Sequence, residues 1–78
     1  MTTSLTIYGK PVCPQCTASV RKADQLGLTY TYVDVSTDPA ALAQLKAEGF
    51  GGVPVVKVGD RSWTGYRPDL LSKEVKTV

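Results

Sequence analysis

The chain has 78 residues, 42% of them hydrophobic and 21% charged, which suits one compact domain over 1–78 and is too little for two. Seven Gly and five Pro fit neither a disordered nor a collagen-like chain, and a formal charge of +2 falls far short of the concentrated basic footprint that binds nucleic acid. No apolar run approaches the about 20 residues of a membrane span, and Met1-Thr2-Thr3-Ser4 lacks the basic-then-apolar plan of a signal peptide, so the expectation is a cytoplasmic monomer with no nucleic-acid or membrane partner.

The first expected element is a strand over Ser4 to Tyr8, where Leu5 and Ile7 alternate with Thr6 and Tyr8 before Gly9-Lys10-Pro11 breaks the run. A helix follows from Pro14 to Leu26. Proline suits its first position, Cys16, Val20, Ala23 and Leu26 recur at helical spacing, and Gly27 offers a C-terminal cap. Leu28 to Val35, rich in Thr, Tyr and Val, reads as a second strand with Tyr30 and Tyr32 on the face opposite Thr29, Thr31, Val33 and Val35.

Asp38 is a good N-cap for a second helix that starts at Pro39, carries Ala41, Leu42 and Leu45 on one stripe and ends at Gly49, with Phe50 packing back on it. Val53 to Val58 and Arg61 to Thr64, separated by Gly59-Asp60, have the pattern of an antiparallel hairpin. Pro68 into Asp69-Leu70-Leu71-Ser72-Lys73 starts a short last helix. The order β-α-β-α-β-β-α gives a small mixed sheet of four strands flanked by three helices, an α/β fold.

Two cysteines, Cys13 and Cys16, and no histidine bound the chemistry. A closed zinc site wants four Cys or His ligands, and the Ser-His-Asp and Cys-His nucleophiles need an imidazole, so redox chemistry remains. Placed between a strand and a helix, Cys13-Pro14-Gln15-Cys16 brings two sulfurs within one helical turn, where they form and break a bridge without moving the backbone. Cys13 sits at the positive end of the helix dipole among unpaired N–H groups, which favour its thiolate and make it the nucleophile. Cys16, one turn inside, is the resolving thiol. Lys10 is either a further positive charge near the thiolate or an ordinary solvated lysine. Val53-Pro54 is either a cis peptide that presents the Val53 backbone to an extended substrate or a trans proline on an edge strand.

The redox pair after a first strand, Val53-Pro54 before a hairpin, and the element order together resemble thioredoxin-fold proteins of glutaredoxin size. The segment Trp63-Thr64-Gly65-Tyr66-Arg67-Pro68-Asp69 is similar to the tail signature of the NrdH-redoxins, and Lys10-Pro11-Val12-Cys13 resembles their approach to the active site. The resemblance covers residues 4 to 73. It implies a protein that carries electrons from NADPH through thioredoxin reductase to a class Ib ribonucleotide reductase, with no cofactor beyond the redox-active Cys13-Cys16 disulfide. It also implies that Pro54 is cis and faces the sulfurs, and that Trp63, Thr64, Gly65, Tyr66, Arg67 and Pro68 form a rim beside them in place of glutathione-binding elements. Pro14 departs from the family, which carries Val there, and is the glutaredoxin choice. That leaves a glutathione-dependent glutaredoxin and an iron–sulfur-binding glutaredoxin-like protein as alternatives. Read from the residues alone, Trp63 and Tyr66 also suit packing over the sheet, and Arg67 suits pairing with Asp69, capping a helix or recognising a partner.

Overall fold

A computed structural model describes residues 5–74. Its elements are β1 (Leu5–Gly9), α1 (Pro14–Gln25), β2 (Thr31–Asp34), α2 (Pro39–Ala47), β3 (Val55–Val58), β4 (Arg61–Thr64) and α3 (Pro68–Ser72), in the expected order. The sheet runs β2-β1-β3-β4, with β1 and β2 parallel and the other two pairings antiparallel. The fold class read from the sequence is the fold observed.

Alternation along β1 divides the interior in two. Leu5 and Ile7 face a cluster with Val56, Val58 and Trp63 from the hairpin, Ala23 from α1 and Leu71 from α3. On the other face Tyr8 and Val55 meet Val35, Val53, Phe50 and the α2 stripe of Ala41, Leu42 and Leu45. Direct cross-strand pairing of Ile7 with Val56 and Tyr8 with Val55 holds each set on its own side. α1 and α3 therefore cover one face and α2 the other, which leaves the β1–α1 loop free at the end of the sheet.

Both long helices close in the same way. In α1, Gly27 N–H donates to Asp24 O and Leu28 N–H to Ala23 O, and in α2 the same pair of bonds runs from Gly49 to Lys46 and from Phe50 to Leu45. This explains the first difference from the sequence reading: Leu28 belongs to the end of α1, not to the second strand, which starts at Thr31 opposite Thr6. Leu28 and Tyr30 still pack against the α1-side cluster, so their apolar character reports burial and not strand pairing. β3 likewise starts at Val55, two residues later than expected, because Val53-Pro54 is a cis peptide outside the ladder. β1 extends to Gly9, while Ser4 lies outside the described residues. α1 ends at Gln25 and α3 at Ser72, one residue short of each expected end.

Candidate active site

Cys13 is the N-cap of α1, with extended backbone angles, and Pro14 fills the first helical position, where no N–H is needed. The Cys13 sulfur occupies the place an oxygen takes in an ordinary cap and accepts the Cys16 N–H at 3.2 Å. It is joined to Cys16 in a disulfide with a Cα–Cα separation of 5.2 Å. Cys16 is 2% exposed and Cys13 9%, so the outer sulfur is the one an incoming thiolate meets first. A groove of about 390 Å³, lined by Val12, Cys13, Pro14, Thr17, Ala18 and Arg21, leads to it.

Val12, just before the nucleophile, has a φ of 54° and is 98% exposed. A β-branched residue in the left-handed region is an outlier that the surrounding loop must impose, and here it displays an isopropyl group to solvent beside the sulfurs. Beneath the pair lies Gly9. A Cβ there would stand 3.1 Å from Cys16 Cβ, tighter than a relaxed contact, so glycine lets α1 sit down on β1.

The tail segment is fastened at two points, one at the cis-proline and one in the redox motif. Gly65 N–H donates to Pro54 O at 2.9 Å, and Tyr66 N–H donates to Gln15 Oε1 at 3.1 Å. Gly65 has a φ of 80°, and a Cβ on it would come within 3.3 Å of the same Gln15 oxygen, so the turn needs glycine for both reasons. Pro54 is fully buried and its peptide with the half-buried Val53 is cis, as the resemblance implied.

The remaining sequence candidates separate by depth. Thr64 and Arg67 are exposed, Tyr66 is 37% exposed and Pro68 starts α3. Arg67 forks onto the Asp69 carboxylate at 3.1 and 3.2 Å; that bond holds Asp69 below the usual carboxylate range and Arg67 above its ordinary value. Trp63, on the rim by resemblance and suited to packing by its residue type, takes the packing place: it lies in the α1-side core at 9% exposure, because its place on β4 opposite Val56 turns it inward. Its indole N–H has no partner among the described residues. Lys10 is exposed at the start of the loop and makes no ion pair among the described residues. Sequence reasoning passed over Gln15, Gly9 and Val12. Gln15 stood inside the motif, but its partner is 51 residues away and no local pattern announces it.

A disulfide held at a helix N-terminus, linked through the tail to a cis-proline and with one sulfur more open than the other, makes this a thiol–disulfide oxidoreductase of the thioredoxin fold. No group of three or more metal-ligating side chains occurs among the described residues. The glutaredoxin family model matches residues 5–63. The glutaredoxin-like protein NrdH of Salmonella typhimurium is 41% identical over 70 residues, spanning 90% of this chain and 86% of that protein. Its namesake from Escherichia coli K12 is 39% identical over 69 residues, spanning 88% and 85%. The solved structure of the Escherichia coli NrdH-redoxin superposes with a TM-score of 0.92 at 36% identity, over 96% of this chain and 99% of that one. The chain belongs to the glutaredoxin family, in its NrdH-redoxin branch.

Proposed function

We propose that this protein is a cytoplasmic, monomeric hydrogen donor for a class Ib ribonucleotide reductase, and that thioredoxin reductase, drawing on NADPH, returns it to the dithiol form. The observation that carries this reading is the attachment of the tail to the redox motif through Gln15 and to the cis-proline through the Pro54 carbonyl. It ties the Tyr66 backbone to Gln15 inside the redox motif, with Arg67 next in the chain, and on this reading Tyr66 and Arg67 form a protein-facing surface where a glutathione-dependent relative would need a tripeptide site. The thioredoxin-like activity profile attributed to the Escherichia coli NrdH-redoxin supports the same reductant. Among the described residues no helix is long and apolar enough to cross a membrane.

In the dithiol state the Cys16 N–H and the α1 dipole stabilise a Cys13 thiolate. That thiolate attacks one sulfur of the target disulfide; a mixed disulfide forms, and the second target sulfur leaves with the electron pair. Cys16 gives up its proton and attacks Cys13 Sγ, the mixed disulfide breaks, and the target is released as a dithiol. The product is the Cys13–Cys16 bridge seen in the structure. Two electrons travel on the sulfur pair itself, so the cycle requires no resident cofactor. Lys10, Val53 and Thr64 complete the surface that meets the target, with Val53 offering its backbone beside the cis-proline.

The test is disulfide reduction with NADPH and either thioredoxin reductase or glutathione plus glutathione reductase. Turnover with thioredoxin reductase alone is expected. Turnover with glutathione alone would overturn the reading in favour of a glutathione-dependent glutaredoxin, for which Pro14 speaks, and visible absorption by freshly isolated protein would point instead to a bound iron–sulfur cluster.

A further inference from the structure

The second sulfur poses a problem that the helix end does not solve. Cys16 is 2% exposed, and a negative charge on a buried sulfur is costly without a donor. The N–H that points into the pair serves Cys13. Another group reaches Cys16 from β2. Tyr32 pairs with Ile7 across the parallel ladder, and its ring end lies over Gly9. A Cβ on Gly9 would stand 2.6 Å from Tyr32 Oη and 3.1 Å from Cys16 Cβ, so hydroxyl and cysteine crowd the one corner that the missing side chain leaves open. The same two residues line a groove of about 350 Å³ together with Thr17, Val20, Arg21 and Asp24. Tyr32 Oη makes no hydrogen bond to another described residue, although Tyr30, two residues earlier, donates to Asp24.

We propose that Tyr32 serves the resolving sulfur, its hydroxyl donating a hydrogen bond to Cys16 Sγ when the disulfide opens and that sulfur carries charge. When an incoming thiolate attacks Cys13 Sγ, a new S–S bond forms there, the Cys13–Cys16 bond breaks and its electron pair leaves on Cys16 Sγ, next to the Tyr32 O–H. In the other direction the Cys16 thiol gives its proton to water in the groove and the thiolate, held by the same hydroxyl, attacks Cys13 Sγ to expel the target. Burial and then the Asp34 carboxylate hold the Tyr32 phenol above its ordinary range, so at neutral pH it is a donor and not a base. Arg21 and Asp24 on α1 and Asp34 on β2 are the other charged groups around it, and a change of hydroxyl alone leaves all three in place.

The test is the alkylation rate of Cys16 against pH in a Cys13→Ser background, where it is the sole thiol, with and without Tyr32→Phe. Tyr32→Phe keeps the ring and removes only the donor. The Cys16 titration is expected to move to higher pH, with the rate on its acid side falling about tenfold, as for one hydrogen bond to a charged group. Cys13, measured in a Cys16→Ser background, is expected to change by less than about twofold, since its donor is the α1 backbone. Gly9→Ala is the second variant: it retains the hydroxyl but pushes it out of the corner, and is expected to shift Cys16 in the same direction. An unchanged Cys16 profile in both variants would overturn the proposal, as would equal shifts of both sulfurs, which only a general loosening of the loop produces.

Discussion

Gln15 Oε1 accepts the backbone N–H of Tyr66 at 3.1 Å, so one of the two residues between the cysteines holds a segment 51 positions further along the chain. With the Gly65 N–H to Pro54 O bond, it makes the redox loop, the cis-proline and the tail one surface. Gln15→Ala is expected to lower stability by about 1 kcal/mol, the net worth of a typical hydrogen bond. On the proposed function, its larger effect is expected on KM for thioredoxin reductase, rising while kcat stays near that of the parent. Urea unfolding and steady-state kinetics on the same preparation check both.

Tyr66 and Trp63 divide the tail between contact and core. Tyr66 is 37% exposed and Trp63 is 9% exposed among Leu5, Ile7 and Leu71. Tyr66→Ala is expected to leave the urea midpoint nearly unchanged, within about 0.5 kcal/mol, while weakening the reductase and target reactions. Trp63→Ala is expected to cost about 3–5 kcal/mol, which a domain this small barely survives.

Leu71 is fully buried where α3 meets α1 and the sheet, whereas the adjacent Leu70 is only half-buried. Leu71→Ala leaves a cavity and is expected to cost about 2–5 kcal/mol. Leu70→Ala is expected to cost clearly less, and the difference between their denaturant midpoints checks the assignment.

The Lys57 ammonium bonds Glu48 and also stands 5.5 Å from the Tyr8 ring centroid, tying α2's end to β3. The hydrogen bond from Lys57 holds the Glu48 carboxyl below its ordinary value. A carboxyl depressed in the folded state stabilises the fold above its unfolded pKa, and that stabilisation is lost as pH falls through the folded value. Parent and Glu48→Gln are therefore expected to differ at neutral pH and to converge in acid. Because the pair is exposed, the neutral difference is expected to shrink at about 1 M salt, where the screening length is about 3 Å.

How far the sequence was legible follows from the range of each signal. Helix starts were plain because Pro14, Asp38-Pro39 and Pro68 act within one turn, and Asp38 does accept the Ala41 N–H. The hairpin was plain because Gly59-Asp60 is a local turn. The start of β2 was not, since Leu28 and Tyr30 look strand-like for reasons of burial while Leu28 N–H closes α1. At the site, the sulfur pair was readable from spacing, whereas the cis-proline was only implied by the resemblance, the residues themselves leaving cis and trans open. The choice between rim and core for Trp63 was not readable, because its direction depends on the β3–β4 register. Gln15, Gly9 and Tyr32 matter through contacts with distant residues, which no single-chain periodicity encodes.

The most direct measurement is covalent trapping of the Cys16→Ser protein by an oxidised class Ib ribonucleotide reductase, with the linkage located by mass spectrometry. Without a resolving thiol, one mixed disulfide is expected between Cys13 and a reductase cysteine, released by added dithiol and absent with Cys13→Ser. A failure of Cys16→Ser to form any adduct, or an adduct formed by the Cys13→Ser protein through Cys16, would contradict it.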